Sequence, residues 1–363
     1  MLTTSRPEQL RVLELGSNAG LALCGKWLAV LGLAVTRVDE ADPVQAPPVS
    51  AELADAYLNA GKQRLRLDLD SASGQAAIRR LLADSDLFIT SLPQERLRGL
   101  ALDFDSISAG RCITMGRISE LGEHNEQARL KGHDLQALAL SGLLYIVGEP
   151  EQPPLALAGP QASYSAGLSL LSGLMFAVSA MDRDPRSRQV STSCLQAAVY
   201  LDWKSQIYCE AEGKVLKRGS DKGPIIVRCA DGYLGFYYRP GDWENVKRVV
   251  GSSELAEPRF AVQADRDRHR GELREALERA LAQRSKHEVF AAAQAAGIPV
   301  GAVLTLPDLL TDPQYRARDF WEHLSVPGHG EQIAPAVPWT VSGTRPQTPR
   351  ISSLPAGETE VAP

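Results

Sequence analysis

The pair His133–Asp134 is the combination of side chains in this chain best suited to moving a proton. Histidine exchanges protons near neutral pH and is the commonest acid–base group of enzymes. The residues alone also allow a structural role, in which Asp134 caps the start of a helix, and that role is favoured when nothing else is considered. Ser141 and Ser163 follow downstream, but neither lies in the G-x-S-x-G pattern of a hydrolase nucleophile. The residues therefore offer an acid–base pair and no serine nucleophile of that type.

Two short runs of basic residues could bind phosphate. Lys62, Arg64 and Arg66 form the first run, and Arg96 and Arg98 form the second. Taken singly, each predicts a solvated surface charge. Together, lysine and arginine side chains can clamp a phosphorylated ligand through charge-assisted hydrogen bonds.

A nucleotide cofactor is less well supported. Gly16, Asn18 and Gly20 follow a predicted strand and form a turn. Their spacing departs from the G-x-G-x-x-G pattern, so the turn is only a weak indication of dinucleotide binding.

Composition and charge limit the protein class. The chain has 363 residues, of which 44% are hydrophobic and 23% charged, as in an ordinary globular protein with room for one large and one smaller domain. Its net charge of −5 argues against a nucleic-acid backbone as the main partner. The five cysteines are scattered without a CxxC pair, which argues against a disulfide framework or a metal site and favours a reducing cytoplasm. Neither a secretory signal nor a membrane span is expected near the start, because Lys26 and Arg37 interrupt the apolar stretch there.

Hydrophobic patterning predicts an α/β chain in which strands and helices alternate. The predicted strands are Leu10–Leu15, Ala34–Val38, Gln63–Leu69 and Leu87–Thr90, with helices at Leu21–Leu31 and Ser73–Ala83 between them. Such alternation implies a parallel sheet with right-handed crossovers.

The second half of the chain predicts helices, a hairpin and a tail. The apolar segment Tyr164–Met181 predicts a buried helix, and a second long helix should run through Trp203 and Tyr208. Ala230–Asp231–Gly232 predicts the turn of a hairpin, and helices are predicted at 267–283 and 286–296. From about Gly328 the chain is rich in proline and glycine, which predicts an extended tail wrapping over a surface.

Ordered segments along nearly the whole chain resemble those of one known family. They are Arg11–Leu15, Leu28–Val38, Asn59–Leu69, Gly132–Asp134 with Ala139–Gly142, Asp231–Tyr233 with Trp243, Ala296–Val303, and Asp312–Arg318. The chain resembles the class III CoA-transferase family, which includes formyl-CoA transferase, carnitine CoA-transferase and α-methylacyl-CoA racemase.

The resemblance implies a Rossmann-like large domain over 1–222, completed by 328–363, and a smaller α+β domain over 223–327. It implies a dimer whose two chains are interlocked, and CoA or an acyl-CoA thioester as ligand, with no tightly bound cofactor. The positions at which relatives meet CoA are Arg37, Lys62, Arg96, Arg98 and Lys131. Basic side chains there suit the phosphates of CoA.

The departure from the family lies at Ser163, thirty positions after His133. The resemblance aligns Ser163 with the aspartate that attacks the thioester in family transferases and pairs with a histidine in family racemases. No aspartate or glutamate occurs from Pro153 to Met181, so a small shift in the alignment does not restore the carboxylate. The carboxylate that some racemases use in the small domain has no clear match either, because Arg239 and Pro240 stand nearest.

Three functions from different classes remain open. The first is an enzyme acting on acyl-CoA through His133 and Asp134, such as an isomerase, dehydratase or lyase. The second is a non-catalytic subunit that pairs with an active homologue. The third is a CoA-binding protein whose role is not catalysis. Under all three, the chain alone is not expected to be an aspartate-dependent transferase.

Overall fold

The chain divides into two compact units. A computed structural model describes residues 10–40, 49–123, 132–149, 151–181, 183–218 and 225–349. The larger unit combines Met1–Arg218 with Asp319–Pro363, and the smaller unit is Gly219–Arg318. The larger unit is therefore built from both ends of the chain.

A six-stranded parallel sheet forms the centre of the larger unit. Its strands are β1 (Arg11–Leu15), β2 (Ala34–Glu40), β3 (Gln63–Leu67), β4 (Leu87–Thr90), β5 (Thr114–Ser119) and β6 (Arg188–Ser193). They are arranged in the order β3-β2-β1-β4-β5-β6, and each neighbouring pair is parallel. This is the order of a doubly wound sheet whose direction of winding reverses between β1 and β4. The predicted parallel sheet is confirmed.

Helices cover both faces of this sheet. They are α1 (Ala19–Val30), α2 (Val49–Asn59), α3 (Ala72–Ala83), α4 (Gln94–Gly99), α5 (Phe104–Ser108), α6 (Asp134–Leu140), α7 (Leu143–Ile146), α8 (Gln161–Met181), α9 (Cys194–Leu201) and α10 (Trp203–Glu212). Val12 and Ile89 pack with α1, α8 and α9, whereas Leu13 and Phe88 pack on the opposite face with α3, α4 and α5. Successive strand residues point to opposite faces, so a strand covered on both sides must be apolar throughout.

Helix α8 differs from the prediction of a buried helix. It forms at the expected place, but only one face is buried, with Ala166 and Leu170 in the core. Phe176 on the other face is 79% exposed. By length and composition alone α8 could also cross a membrane, although core helices of soluble proteins pass the same test. The long helix predicted next is two helices, because the chain breaks at Asp202 between α9 and α10.

The C-terminal segment of the larger unit is more regular than the predicted extended tail. It opens with an antiparallel hairpin of β10 (Trp321–Val326) and β11 (Gly330–Pro335). The buried Lys26 in α1 donates to Glu322 in β10 over 3.2 Å. Its ammonium group also lies 3.3 Å from the centre of the Tyr57 ring, and the Tyr57 hydroxyl donates to the carbonyl of Pro335 over 2.9 Å. These contacts join the end of the chain to its first two helices.

The smaller unit has its own apolar core. Its sheet is β7 (Ile225–Cys229), β8 (Gly232–Phe236) and β9 (Val300–Ala302), all antiparallel. The helices of this unit are α11 (Trp243–Val250), α12 (Gln263–Arg268), α13 (Arg270–Leu281), α14 (Lys286–Ala295), α15 (Leu306–Thr311) and α16 (Pro313–Ala317). The predicted hairpin forms as β7 and β8. The helix predicted over 267–283 is interrupted at His269, where α12 ends and α13 begins.

Candidate functional site at the carboxyl edge of the sheet

The carboxyl ends of the parallel strands bring distant residues together. Asn18 follows β1, Ser91 follows β4, Glu120 follows β5, and Cys194 follows β6. The backbone N–H of Asn18 donates to the Ser91 hydroxyl over 3.3 Å, across the point where the winding reverses. Ligands of open α/β sheets bind at this edge, so it is the first place to look for a site.

Four side chains meet there, and we call them the strand-end cluster: Asn18, Glu120, Ser163 and Cys194. The Asn18 amide nitrogen donates to Glu120 Oε1 over 2.8 Å. It also lies 3.5 Å from Ser163 Oγ and 3.6 Å from Cys194 Sγ. Ser163 Oγ and Cys194 Sγ are 3.7 Å apart. Ser163 is thus connected to the carboxylate of Glu120 through one amide group.

The strand-end cluster is shielded from water. Ser163 is 5% exposed and Cys194 is fully buried. Burial, together with the neighbouring charge of Glu120, raises the pKa of the Cys194 thiol to about 12. Glu120 Oε2 is also shielded, and it has no well-aligned hydrogen-bond donor among the residues that the structure describes. Cys194 is therefore a protonated thiol at neutral pH, and Glu120 is one of its hydrogen-bond neighbours.

Close helix packing holds Ser163 in place. A Cβ atom at Gly20 would lie 1.8 Å from the carbonyl oxygen of Ser163, and one at Gly167 would lie 2.2 Å from the carbonyl oxygen of Gly20. The Asn18 side-chain oxygen accepts from the N–H groups of Gly20 and Leu21 and caps α1. The two glycines thus let the first turns of α1 and α8 meet backbone to backbone beside the strand-end cluster.

Asp134 holds the start of α8. Its carboxylate accepts from the N–H of Ser163 over 2.7 Å and from the N–H of Ala162 over 3.3 Å. A carboxylate at a helix N-terminus satisfies donors that the helix leaves open. His133 is exposed and caps α6, since its Nδ1 accepts from the N–H of Leu135 over 3.4 Å. The predicted capping role of Asp134 is therefore present, although on α8 rather than on its own helix.

Arg37 and Lys62 surround a buried carboxylate. Arg37 donates to Glu14 over 2.5 Å, and the Lys62 ammonium lies 2.8 Å from the same carboxylate. Lys62 also donates to the Ala22 carbonyl over 2.8 Å and to the Asn59 side chain over 2.9 Å. Burial lowers the pKa of Lys62, and Glu14 opposes that effect. With its three N–H donors engaged, Lys62 has a structural role in this arrangement.

Arg96 and Arg98 lie on α4, directly after β4. Arg96 is 35% exposed and pairs with Asp70 over 2.7 Å and with Glu40 over 3.4 Å. Arg98 is exposed. Lys131, the remaining predicted phosphate contact, lies outside the described residues.

Arg117 adds a further guanidinium to this edge. It is 4% exposed and donates to Gln94, Glu123 and the carbonyl of Leu92. Burial lowers the pKa of Arg117, Glu123 opposes the shift, and Arg98 adds to it.

A large cavity lies elsewhere in the larger unit. It measures about 1380 Å³ and is lined by α2, β3, the β10–β11 hairpin and 347–349. Several of its carboxylates are paired, as Glu52 is with His329 over 2.8 Å. Its walls carry charges of both signs, among them Lys62 and Arg64 of the predicted basic run, and none of the strand-end cluster lines this cavity.

Sequence patterns did not identify several residues of this edge. Glu14 lies within β1 and Glu120 follows β5, and both resemble ordinary polar residues in sequence. In the sequence, Asn18 was assigned only to a turn, and Cys194 was counted only as one of five scattered cysteines. A usable signal for Asn18 was its position shortly after the predicted strand Leu10–Leu15, since residues at strand ends converge in a parallel sheet. Glu120 follows β5, which was not predicted.

Comparisons with known proteins assign the chain to a family. The family model for CoA-transferase family III matches residues 8–359. Succinyl-CoA:(R)-benzylsuccinate CoA-transferase subunit BbsE from Thauera aromatica is 27% identical over 86% of this chain and 82% of its own length. Succinate–glutarate CoA-transferase from Agrobacterium fabrum is 25% identical over 85% and 82%.

The fold agrees with solved structures of low sequence identity. A CAIB/BAIF family protein from Brucella suis superposes with a TM-score of 0.85, at 22% identity over 97% of both chains. A Mycobacterium tuberculosis protein gives a TM-score of 0.79, at 22% identity over 93% of both chains. These likenesses bear on the fold, and the match of the family model over nearly the whole chain settles the classification. The chain belongs to CoA-transferase family III.

Proposed function

We propose that this protein binds CoA or an acyl-CoA thioester at the carboxyl edge of the six-stranded sheet. The observation that carries the proposal is the convergence of Asn18, Glu120, Ser163 and Cys194 at this edge in a chain of CoA-transferase family III. The curated relatives are named as CoA-transferases, which supports CoA thioesters as the ligand class. We also place the protein in the cytoplasm, where such thioesters and reduced cysteines occur together.

The basic residues divide into two groups under this proposal. Arg96 and Arg98, with Lys131, are assigned to the phosphates of CoA, because α4 follows the carboxyl end of β4, with Arg98 exposed and Arg96 partly exposed. Arg37 and Lys62 are assigned to the support of this edge through Glu14, because both are buried and paired.

Replacing Arg96 and Arg98 together by alanine should weaken CoA binding. Each lost charge-assisted contact should cost about 1–3 kcal/mol. Isothermal calorimetry with CoA measures the change. Arg79→Ala with Arg80→Ala is the matched control, because these exposed arginines lie in the last turns of α3, which returns the chain towards the amino end of β4. Absence of CoA binding by the unaltered protein would contradict the proposed function itself.

The same site does not favour an aspartate-dependent transferase. The position that the family resemblance gives to the nucleophilic carboxylate is Ser163, and its hydroxyl contacts an amide and a thiol. A serine needs a base to become a nucleophile, and the ester it forms transfers its acyl group less readily than an anhydride. The proposal is therefore a CoA-thioester protein whose chemistry, if any, uses another group.

A second candidate function is that of a subunit paired with an active homologue. The Thauera relative is named as a subunit of its transferase. Large apolar side chains of α8, α9 and α10 are exposed, namely Phe176, Tyr200, Leu201, Trp203, Ile207 and Tyr208. An apolar patch of this kind is typical of a surface that another chain covers. We propose an interlocked homodimer or heteromer that buries it.

Light scattering at micromolar concentration should give a mass of at least two 39.2 kDa chains. Copurification from a host that also expresses an active homologue distinguishes the two assemblies, since a heteromer brings the homologue with it. A mass of one chain in both preparations would contradict the assembly, while leaving CoA binding untouched.

A further inference from the structure

A buried guanidinium group near the carboxyl end of β5 reaches across to the start of α4, the helix that carries Arg96 and Arg98. We propose that Arg117 is a positioning residue, which together with Glu123 holds α4 so that these two arginines meet the phosphates of CoA in one fixed geometry. The inference rests on the CoA binding proposed above, and it names the residues that prepare the phosphate-binding part of that site.

The contacts of Arg117 extend over the end of the neighbouring strand. β5 lies beside β4 in the sheet, and Arg117 is level with Thr90, the last residue of β4. From there its guanidinium group donates to the carbonyl of Leu92 over 3.3 Å and to the side chain of Gln94. Leu92 and Gln94 flank Pro93, the N-cap of α4. Arg117 therefore holds the chain on both sides of the entry to this helix.

Glu123 holds the guanidinium group of Arg117. Arg117 donates to Glu123 Oε2 over 3.1 Å, and Glu123 Oε1 also lies 3.1 Å from the guanidinium group. Both side chains are shielded from water, with 5% of Arg117 and 10% of Glu123 exposed. Gly122, with a φ of +114°, lets the chain turn after β5 so that Glu123 can meet Arg117. We call the pair Arg117–Glu123 the α4 clasp.

Helix α4 has few other means of keeping its position. It is six residues long, and helices this short are not stable on their own. Pro93 offers no side-chain hydrogen bond to the N-terminus, and Leu97 alone is buried among the six residues of the helix, all of which the structure describes. Arg96 forms partly exposed ion pairs with Asp70 and Glu40, and such pairs contribute little to stability. The direction of α4 therefore depends on the α4 clasp.

Fixing α4 in advance favours the binding of phosphate. An arginine side chain that becomes ordered only on binding loses conformational freedom, which weakens the complex. Arg98 lies within electrostatic range of the clasp, because its charge adds to the effect of burial in lowering the pKa of Arg117, whereas Glu123 opposes both. Glu123 also offsets the charge of Arg117, so the clasp can hold α4 without repelling the arginines that it positions.

The test is a double-mutant cycle on the affinity for CoA. Arg117→Met combined with Glu123→Gln removes the clasp without leaving a buried charge unpaired. Isothermal calorimetry should show that this change raises the Kd for CoA by about 10-fold. In a chain that already carries Arg96→Ala and Arg98→Ala, the same change should have no further effect, because the clasp acts through these arginines. A general loss of structure would instead weaken binding in both backgrounds.

Arg111→Met is the matched control. Arg111 precedes β5 and donates to the carbonyls of Leu82 and Ser85, before the amino end of β4. It is thus a second guanidinium group that holds backbone carbonyls beside the same two strands, at the end away from α4. This variant should keep the Kd of the unaltered protein, and thermal unfolding shows whether each variant folds.

An unchanged Kd in the clasp variant overturns the inference, while CoA binding and the proposed function stand. An equal loss of affinity in both backgrounds also overturns it, because the clasp would then not act through the arginines of α4. If the unaltered protein does not bind CoA, the proposed function fails and the inference fails with it.

If the clasp variant does not fold, Arg117→Lys decides. Lysine keeps the ion pair with Glu123 but lacks the planar fork that binds the start of α4 at the same time. Weaker CoA binding that requires Arg96 and Arg98 supports the inference, and an unchanged Kd overturns it.

Discussion

Incubation of the unaltered protein with an acyl-CoA and hydroxylamine should leave residue 163 unmodified, whereas Ser163→Asp should acquire an aspartyl hydroxamate there. An aspartate attacks the thioester carbonyl, the carbon–sulfur bond breaks, CoA leaves as thiolate, and an acyl anhydride remains for hydroxylamine to intercept. The serine hydroxyl has no such reactivity without a base. Mass spectrometry of the trapped protein should show a difference on the order of 1000-fold between the two chains.

The structure favours correct placement of the new carboxylate. The N–H of residue 163 donates to Asp134, and Gly20 packs against the carbonyl of residue 163. The backbone from which the new side chain projects is therefore fixed. Ser165→Asp is the matched control, because Ser165 lies two residues further along α8 and its hydroxyl donates to the carbonyl of Gln161. An adduct on Ser163 in the unaltered protein, or acyl exchange catalysed by it, would contradict the prediction, because acyl transfer would then proceed without an aspartate at position 163.

Replacement of Glu14 by glutamine should destabilise the protein by about 3–5 kcal/mol, because it leaves the buried Lys62 without its counter-charge, whereas Arg37 keeps its ion pair with Asp39. Glu14 is fully buried, and it pairs with Arg37 and with the buried Lys62. A Cβ atom at Gly25 would lie 1.8 Å from the carboxylate, so the surrounding chain leaves no room for rearrangement. Urea unfolding followed by circular dichroism measures the free energy of unfolding.

A control variant and a compensating double variant test whether the loss of stability comes from the buried charges. Glu95→Gln removes an exposed carboxylate of the same unit and should change stability by less than about 0.5 kcal/mol. Glu14→Leu combined with Lys62→Met removes both charges of one buried pair and should recover much of the loss, since packed apolar groups can replace such a pair. A loss below about 1 kcal/mol in Glu14→Gln would mean that water or another carboxylate compensates the cations.

Local patterns predicted the strands β1 to β4, because burial of a strand shows in its own composition, whereas β5 and β6 were not predicted. Leu87–Thr90 is apolar at every position, and a strand buried on both faces requires that composition. The exposed face of α8 was not predictable in the same way, because apolar composition does not say whether the chain itself or another chain covers the surface.

The candidate site depends on pairs that are distant in sequence. The sequence predicted that Lys62 binds phosphate. In the structure its ammonium group is instead paired with Glu14, which lies 48 positions away. Glu120 stands 102 positions from Asn18, and only the parallel arrangement of β1 and β5 brings them together. From the sequence, the resemblance predicts that Ser163 stands at the position of the family aspartate, whereas the proximity of Glu120 to Ser163 required the fold.

The link between Lys26 and Glu322 has a consequence for synthesis on the ribosome. The two residues are 296 positions apart, so α1 emerges long before the strand that neutralises its buried ammonium group. Until β10 appears, packing α1 in its final place would enclose an uncompensated charge. The smaller unit, whose residues form one continuous stretch, can fold as soon as it is made. We therefore expect the N-terminal half of the chain to remain incompletely packed, and open to chaperones, until the last fifty or so residues have been translated.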